Sequence, residues 1–321
     1  MRTIVRIAAL CAALFAGAAS AQPYPSKIVR VIVPFPAGGP TDVMARIIGQ
    51  KLSERLGQQF VIENQGGAAG NIGMGSAARA AGDGYTILFV SSSYVVNPSL
   101  YHKAPYDPDR DFVPITKAAA ATHALIANPA VPARSVKELV DLIRAEPAKY
   151  SIASPGAGTT PHLTAENLFH VRWKADVTHV PFKGAGPAVT GLLSGQPPIG
   201  CMAGSGPMSN IKAGKLRALA VSSARRLPQL PDVPTLNELG YSGMEDYTWV
   251  GLFVPASTPP EIAQKLNDAV LRAVKSPDIK ERLDTLAFEP TAAPLKDSAN
   301  YVRDEVAKWA KIVRETGAKA E

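Results

Sequence analysis

Cysteine is nearly missing from this sequence, whose 321 residues include two, Cys11 and Cys201. Cys11 falls in an apolar leader, so a processed chain keeps Cys201 alone, which excludes an intrachain disulfide and a thiolate metal cluster. Histidine is almost as sparse, and no two of His102, His123, His162, His170 and His179 have the i, i+4 spacing of a zinc-binding helix. Catalytic signatures are missing too. There is no Gly-x-x-x-x-Gly-Lys-Ser/Thr phosphate loop, and Ala203-Gly204-Ser205-Gly206 lacks the Gly-x-Ser-x-Gly order of a nucleophile elbow. Gly156-Ala157-Gly158-Thr159-Thr160-Pro161 starts like a dinucleotide fingerprint and then places Pro161 where the third glycine belongs. Charge of one sign is also in short supply. Lys and Arg total 34 against 27 Asp and Glu, with no dense basic patch interleaved with aromatics, which argues against a nucleic-acid interface. The small positive excess fits either ordinary surface charge or weak steering of acidic ligands.

What is present begins with an export signal. Arg2 and Arg6 precede an apolar run from Ile7 to Ala18, and Ala19-Ser20-Ala21 closes it. A charged, apolar, small-residue sequence of this kind is cleaved on export, and the apolar run is short for a bilayer span. Cleavage after Ala21 leaves 300 of the 321 residues and lowers the formal charge from +7 to +5 by removing Arg2 and Arg6. The expected location is the periplasm. A chain of this length can bury two cores of roughly 150 residues each without disulfides.

Past the leader, strands and helices alternate. Ile28 to Val33 reads as a buried strand, and Val43, Met44, Ile47, Ile48, Leu52 and Leu56 recur at helical spacing until Gly57. Phe60 to Glu63 and Tyr85 to Val90 complete a βαβαβ unit, which winds as a parallel sheet covered by helices. The pattern resumes with Ser135-Val136-Lys137-Glu138 as a capping box, then strands at Tyr150 to Ala153, Asp176 to Val180, Ile199 to Ala203 and Leu216 to Val221. Thr258-Pro259-Pro260-Glu261 reads as a second capping box, and helices at 278–286 and 297–316 finish the chain.

The chemistry gathers in Gly-rich turns at the carboxyl ends of strands, where open α/β sheets place their ligands. Phe35-Pro36-Ala37-Gly38-Gly39-Pro40-Thr41-Asp42 is the strongest of these, since glycines let amides approach a bound group and the helix that follows favours an anion. Gly66 to Asn71, Ser91-Ser92-Ser93, Ser154 to His162, Phe182-Lys183-Gly184 and Ala203-Gly204 are the others. Asp42 reads as a helix cap, because a carboxylate facing an anion repels it.

In this order and spacing the chain resembles the Bug or TctC family, the extracytoplasmic solute receptors of tripartite tricarboxylate transporters. The matching stretches are Tyr24-Pro25, Val33 to Asp42, Gly70-Asn71-Ile72-Gly73, Asp83-Gly84-Tyr85-Thr86, Ser154 to Leu163, Pro181-Phe182-Lys183-Gly184 and Gly214 to Ala220. Pro231 to Glu238, Trp249 and Pro255 to Asn267 extend the match over essentially the whole mature chain.

The resemblance implies an α/β type II periplasmic-binding-protein fold, each lobe a mixed, mostly parallel sheet flanked by helices, with the ligand cleft between them. Lobe 1 is expected at 22–121 and 245–321, and lobe 2 at 122–244. It also implies a carboxylate held by backbone amides, hydroxyls and waters. Carried over, the ligand-binding set is Phe35, Pro36, Ala37, Gly38, Gly39, Thr41, Asp42, Asn71, Ser91, Ser92, Ser93, Ser154, Gly156, Gly158, Thr159, Thr160, His162, Phe182, Lys183, Gly184, Ala203 and Gly204. Gly38, Gly39, Gly156 and Gly158 are expected to open amides to carboxylate oxygens, Thr159 and Thr160 to donate hydroxyls, and Phe35 and Phe182 to wall an apolar ligand body. No catalytic residue, metal or cofactor is expected. The expected partners of this monomer are a small carboxylate and permease subunits, with a signalling kinase or an enzyme on the same scaffold as the alternatives. The chain departs from the family where Gly195-Gln196 is followed by Pro197-Pro198-Ile199-Gly200, two prolines removing backbone donors at the start of a strand of the second lobe.

Overall fold

The structure, a computed structural model, describes residues 23–204 and 206–319. The signal segment expected at residues 1–21 lies outside them.

Val29–Val33 (β1) leads into a 17-residue helix, Pro40–Leu56 (α1), which ends where Gly57 takes a left-handed conformation and bonds back to Ser53. Phe60–Asn64 (β2), Asn71–Ala78 (α2), Thr86–Ser91 (β3) and Ser93–Leu100 (α3) follow. β1 pairs in parallel with β2 on one side and β3 on the other. The chain then enters a strand of 16 residues, Phe112–Ala127 (β4), that the helix–strand alternation does not reveal. Its Ala118-Ala119-Ala120-Ala121 centre has no period-2 pattern because both faces are buried there.

The second unit comprises Val136–Ala145 (α4), Ser151–Ser154 (β5), Thr160–Glu166 (α5), Thr178–Pro181 (β6), Ala185–Ser194 (α6), Ile199–Ala203 (β7), Met208–Lys212 (α7) and Arg217–Val221 (β8). α5 continues through π-helical turns at Asn167–Arg172. The chain returns along Tyr247–Pro255 (β9), then Pro260–Val274 (α8), Pro277–Thr285 (α9), Glu289–Pro290 (β10) and a 22-residue helix, Leu295–Thr316 (α10).

The strand order is β2-β1-β3-β9-β4-β7-β5-β6, with β8 and β10 also pairing to β4. The sheet is mixed, and its parallel ladders lie in the outer strands of each half, β2-β1-β3 and β7-β5-β6. Everything touching β4, and the β3–β9 pair, is antiparallel. Parallel pairing therefore does not predominate as expected, because the long central strand and its return strand run against their neighbours. Pairing along β4 changes partners between Thr122, opposite Tyr247 of β9, and His123, opposite Ala203 of β7.

Each half has its own core. Met44, Ile48, Leu252 and Leu266 pack on one side of the first sheet, and Leu139, Phe169, Trp173 and Cys201 fill the second half. Cys201 is a free, buried thiol whose ionisation burial pushes upward. The Ser135 cap forms, its side chain accepting from the Glu138 N–H at 3.2 Å, while Glu138 Oε2 takes the Arg134 N–H. The second expected box does not form. α8 starts at Pro260, so its cap position is Pro259, and the Thr258 hydroxyl is buried one residue too early.

Ser135→Ala should cost about 1 kcal/mol, and Leu139→Ala, fully buried one turn later, about 2–5 kcal/mol. Urea unfolding midpoints check both.

Candidate functional site

Between the two halves lies a cavity of about 490 Å³, within the range of small-molecule sites. The β1–α1 turn supplies one wall. Gly38 sits at φ +81, a left-handed conformation that glycine adopts without strain. Its N–H donates to Asp42 Oδ2 at 2.9 Å, and Arg46 Nε and Asn64 Nδ2 donate to the same carboxylate at 3.0 and 2.9 Å. Burial pushes the Asp42 carboxyl up, but the bonds from Arg46, Gly38 and Asn64 outweigh it and hold the group below the usual carboxylate range. Asp42 thus clasps the loop from behind, inside the first turn and out of the cavity. It is neither the helix cap nor a ligand-facing group.

Helix starts ring the cavity. α1 begins after Gly39 with no side-chain cap, and its first helical bond is Val43 N–H to the Gly39 carbonyl, so the amides before Val43 are free of the helix ladder. α6 begins after Gly184, also without a side-chain cap. α3 starts at Ser93 and α5 at Thr160. Phe35, Pro36, Ala37, Gly38, Gly39, Thr41, Ser91, Ser92, Ser93, Thr159, Thr160, Lys183, Gly184 and Ala203 all line the cavity. Among the described lining residues Lys183, at the exposed rim, is the only one with an ionisable side chain. The charge that does reach the cavity from its walls is the partial charge of helix N-termini, which favours anions.

Eight expected residues lie elsewhere, each for a visible reason. Asp42 is the clasp. Asn71 is buried and accepts from Asn97 Nδ2 at 2.9 Å, fixing α2 to α3. Ser154, Gly156, Gly158 and His162 form the back of the β5–α5 loop. Gly158 sits at φ +78, where a β-carbon would lie 2.6 Å from Leu100. Its N–H donates to His162 Nδ1 at 3.2 Å, and His162 stacks at 3.9 Å on His179, whose Nε2 is 2.7 Å from Ser154 Oγ. Phe182 packs against α6 at Gly191, and Gly204 is held by the Thr122 carbonyl at 2.9 Å.

His162, Glu166 and His179 offer ligand atoms within 4.8 Å of one another. With the His162 Nδ1 lone pair taken by Gly158, the ring proton of neutral His162 sits on Nε2, which faces Glu166 at 3.4 Å. That nitrogen has no lone pair left for a metal ion.

Thr248 on β9 and the apolar pair Leu286 and Phe288, in the turn between α9 and β10, also line the cavity and were not among the expected residues. Local pattern carries no signal for them, since the halves bring them there only after folding. With Phe35 and Val43 they make the apolar wall in place of Phe182.

A chain of hydrogen bonds forms the floor. Thr160 Oγ1 lies 2.8 Å from Ser92 Oγ and 3.2 Å from Thr248 Oγ1, and Thr248 Oγ1 is 3.0 Å from His123 Nε2. On its other side His123 Nδ1 is 3.0 Å from Thr164 Oγ1, which donates to Asp246 Oδ2 at 2.8 Å. Lys308 of α10 closes the chain 2.7 Å from Asp246 Oδ1. Thr159 is occupied too, its hydroxyl donating to the Gly156 carbonyl at 2.8 Å. The expected hydroxyl donors Thr159 and Thr160 are therefore already committed within the protein.

A cleft ringed by helix starts, lying between two half-sheets that share one strand, defines a solute-binding receptor. Residues 44–318 match the family model described as the tripartite tricarboxylate transporter family receptor, TctC, and the chain belongs to that family. Protein BugT of Bordetella pertussis is 37% identical over 302 residues, 94% of this chain and 92% of BugT. An R. palustris protein solved with adipate is 32% identical with a TM-score of 0.86, covering 92% of this chain and 99% of that one. MatC from Rhodopseudomonas palustris, with bound malate, is 33% identical with a TM-score of 0.82, covering 90% and 100%.

Burial lowers the His123 pKa to about 4, and burial followed by the neighbouring His162 does the same for His179. Below the ordinary value of 6.5 the unfolded chain binds protons that these rings refuse. Stability should therefore fall as pH drops from about 6.5 towards 4, with about 3 kcal/mol from His123 alone, and not respond to this residue above that window. Denaturant midpoints against pH, with His123→Gln flattening the loss, check it.

Proposed function

We propose that this chain is a periplasmic receptor that captures a small carboxylate by closure of its two lobes and delivers it to the membrane permease of a tripartite tricarboxylate transporter. The observation that carries the reading is the convergence of four helix starts, three of them without a side-chain cap, on one cavity whose described lining has a single ionisable side chain, at its rim. Amides already aimed at the cavity replace the hydration shell of a carboxylate without reorganising, and four helix dipoles favour its charge. The residues proposed to receive it are Gly39, Thr41, Ser93 and Gly186, with Lys183 at the entrance. Leu286, Phe288, Val43 and Phe35 take an apolar ligand body. The adipate and malate bound by the two R. palustris relatives are small carboxylates and support this class.

The connections between the halves support lobe closure. The chain crosses between the halves at β4 and returns at the Asp246 end of β9, and these two crossings are the proposed hinge for closure. Export fits the Arg2 to Ala21 leader, and among the described residues no helix is long and apolar enough to cross a membrane.

The test is thermal unfolding of ligand-stripped protein against small carboxylates and their uncharged amides. A native-state ligand at a hundredfold its Kd adds about 2.7 kcal/mol, so acids should raise the midpoint and amides should not. Gly39→Val fits locally, since φ is −75 and the nearest atom to an added β-carbon is the Pro36 carbonyl at 3.5 Å. It should leave the fold intact and weaken carboxylate binding by at least tenfold, and unchanged affinity would remove the first-lobe anion site.

A further inference from the structure

The floor of the cavity has a fixed proton direction, and that direction bears on what the solute must be. Asp246 is buried, with Lys308 2.7 Å from its Oδ1, and a carboxylate only accepts. Thr164 therefore spends its one proton on Asp246 and can only accept from His123, which places the ring proton on Nδ1. His123 Nε2 is left as a bare lone pair facing Thr248 at 3.0 Å, with Thr160 Oγ1 at 3.4 Å. Burial, which keeps this ring neutral at physiological pH, is consistent with that tautomer.

Protons can now be counted from His123 outward. One must fill His123 Nε2, one the Thr248–Thr160 contact and one the Thr160–Ser92 contact. The three hydroxyls own three protons between them. Thr248 donates to His123, Thr160 to Thr248 and Ser92 to Thr160, so none remains for the cavity. If Thr160 serves His123 instead, Thr248 and Ser92 both donate to Thr160, and the count is the same.

We propose that Ser92, Thr160 and Thr248 form an acceptor-only subsite whose polarity is set by His123, and that the solute is a carboxylate that also carries a hydrogen-bond donor, a hydroxyl or an ammonium group. The inference rests on the carboxylate-receptor reading and refines it. Lone pairs on the floor repel carboxylate oxygens and steer them to the amides of the α1 and α6 starts. They reward a donor that meets the three oxygens. A solute without one leaves buried acceptors dry, which costs affinity. His123 is a positioning residue, 1% exposed and not among the residues that line the cavity.

The test pairs acids that differ only in the donor: L-malate with succinate, and L-phenyllactate and L-phenylalanine with 3-phenylpropanoate. In calorimetry on the stripped mature protein, at least one donor-bearing acid should bind tenfold or more tighter than its partner. The phenyllactate and phenylalanine arms separate hydroxyl from ammonium. Equal affinity within every pair overturns the subsite and leaves the carboxylate receptor standing. Silence of all acids in a folded protein overturns the receptor reading and the subsite with it. Nitrogen-15 NMR of histidine-labelled wild type reads the tautomer directly: a protonated Nδ1 and bare Nε2 on His123 are expected, and the reverse tautomer refutes the proton count. In His123→Leu, which frees the Thr248 proton, the preference within the pair should collapse below threefold, and a preference that survives in folded variant protein refutes the positioning role.

Discussion

One continuous strand constrains the rest of this molecule. β4 runs 16 residues through both halves, pairing with β9 up to Thr122 and with β7 and β8 from His123 onward. Because its backbone is shared, the two sheets cannot be assembled independently, and the point where partners change sits under the cavity. The C-terminal helix α10 reinforces this crossing. Glu305 accepts from Trp249 Nε1 and Trp309 Nε1 at 3.2 and 3.0 Å, and Lys308 reaches Asp246. A buried carboxylate is expensive unless it is hydrogen-bonded, and Glu305 spends its bonds tying the return strand to the last helix.

The cavity has almost no side-chain charge of its own among its described lining residues. The acidic groups nearby are turned away from it: Asp42 faces Gly38, Arg46 and Asn64, and Asp246 faces Thr164 and Lys308. What remains at the surface of the site is backbone amides and hydroxyl oxygens. Dipoles of this kind discriminate by geometry.

The hydroxyl floor also joins the halves. Ser92 belongs to the first, Thr160 to the second, and Thr248 to the strand returning between them, yet they form one hydrogen-bonded string ending at His123. Leu100 packs at the Gly158 turn across the same boundary. The hydroxyls that line the cavity are therefore also contacts that set the relative placement of the halves.

Much of this was legible in the sequence. The Gly38-Gly39-Pro40 turn, the serines after β3 and the Ser154 to Thr160 turn stand at strand ends, where local rules of turn and helix start decide conformation, and all three reach the cavity. Those rules act over a few residues, and sequence displays them. β4 escaped because burial on both faces erases alternation, and Thr258 misled because a residue type permits a cap without fixing where the helix begins. Orientation within the turns was decided by tertiary contacts. Asp42 and Thr159 were committed to the loop by bonds from distant or folded-over groups, and Leu286, Phe288 and Thr248 meet the Gly38 turn from more than two hundred residues away along the chain. The direction of the protons at the floor depends on Asp246 and Lys308 standing behind His123. Sequence by itself determined which turns could meet an anion, because that is backbone chemistry set locally. Only the tertiary structure decided which of their atoms remain free to do so, because every hydrogen bond made inside the protein is a donor or acceptor withdrawn from the ligand.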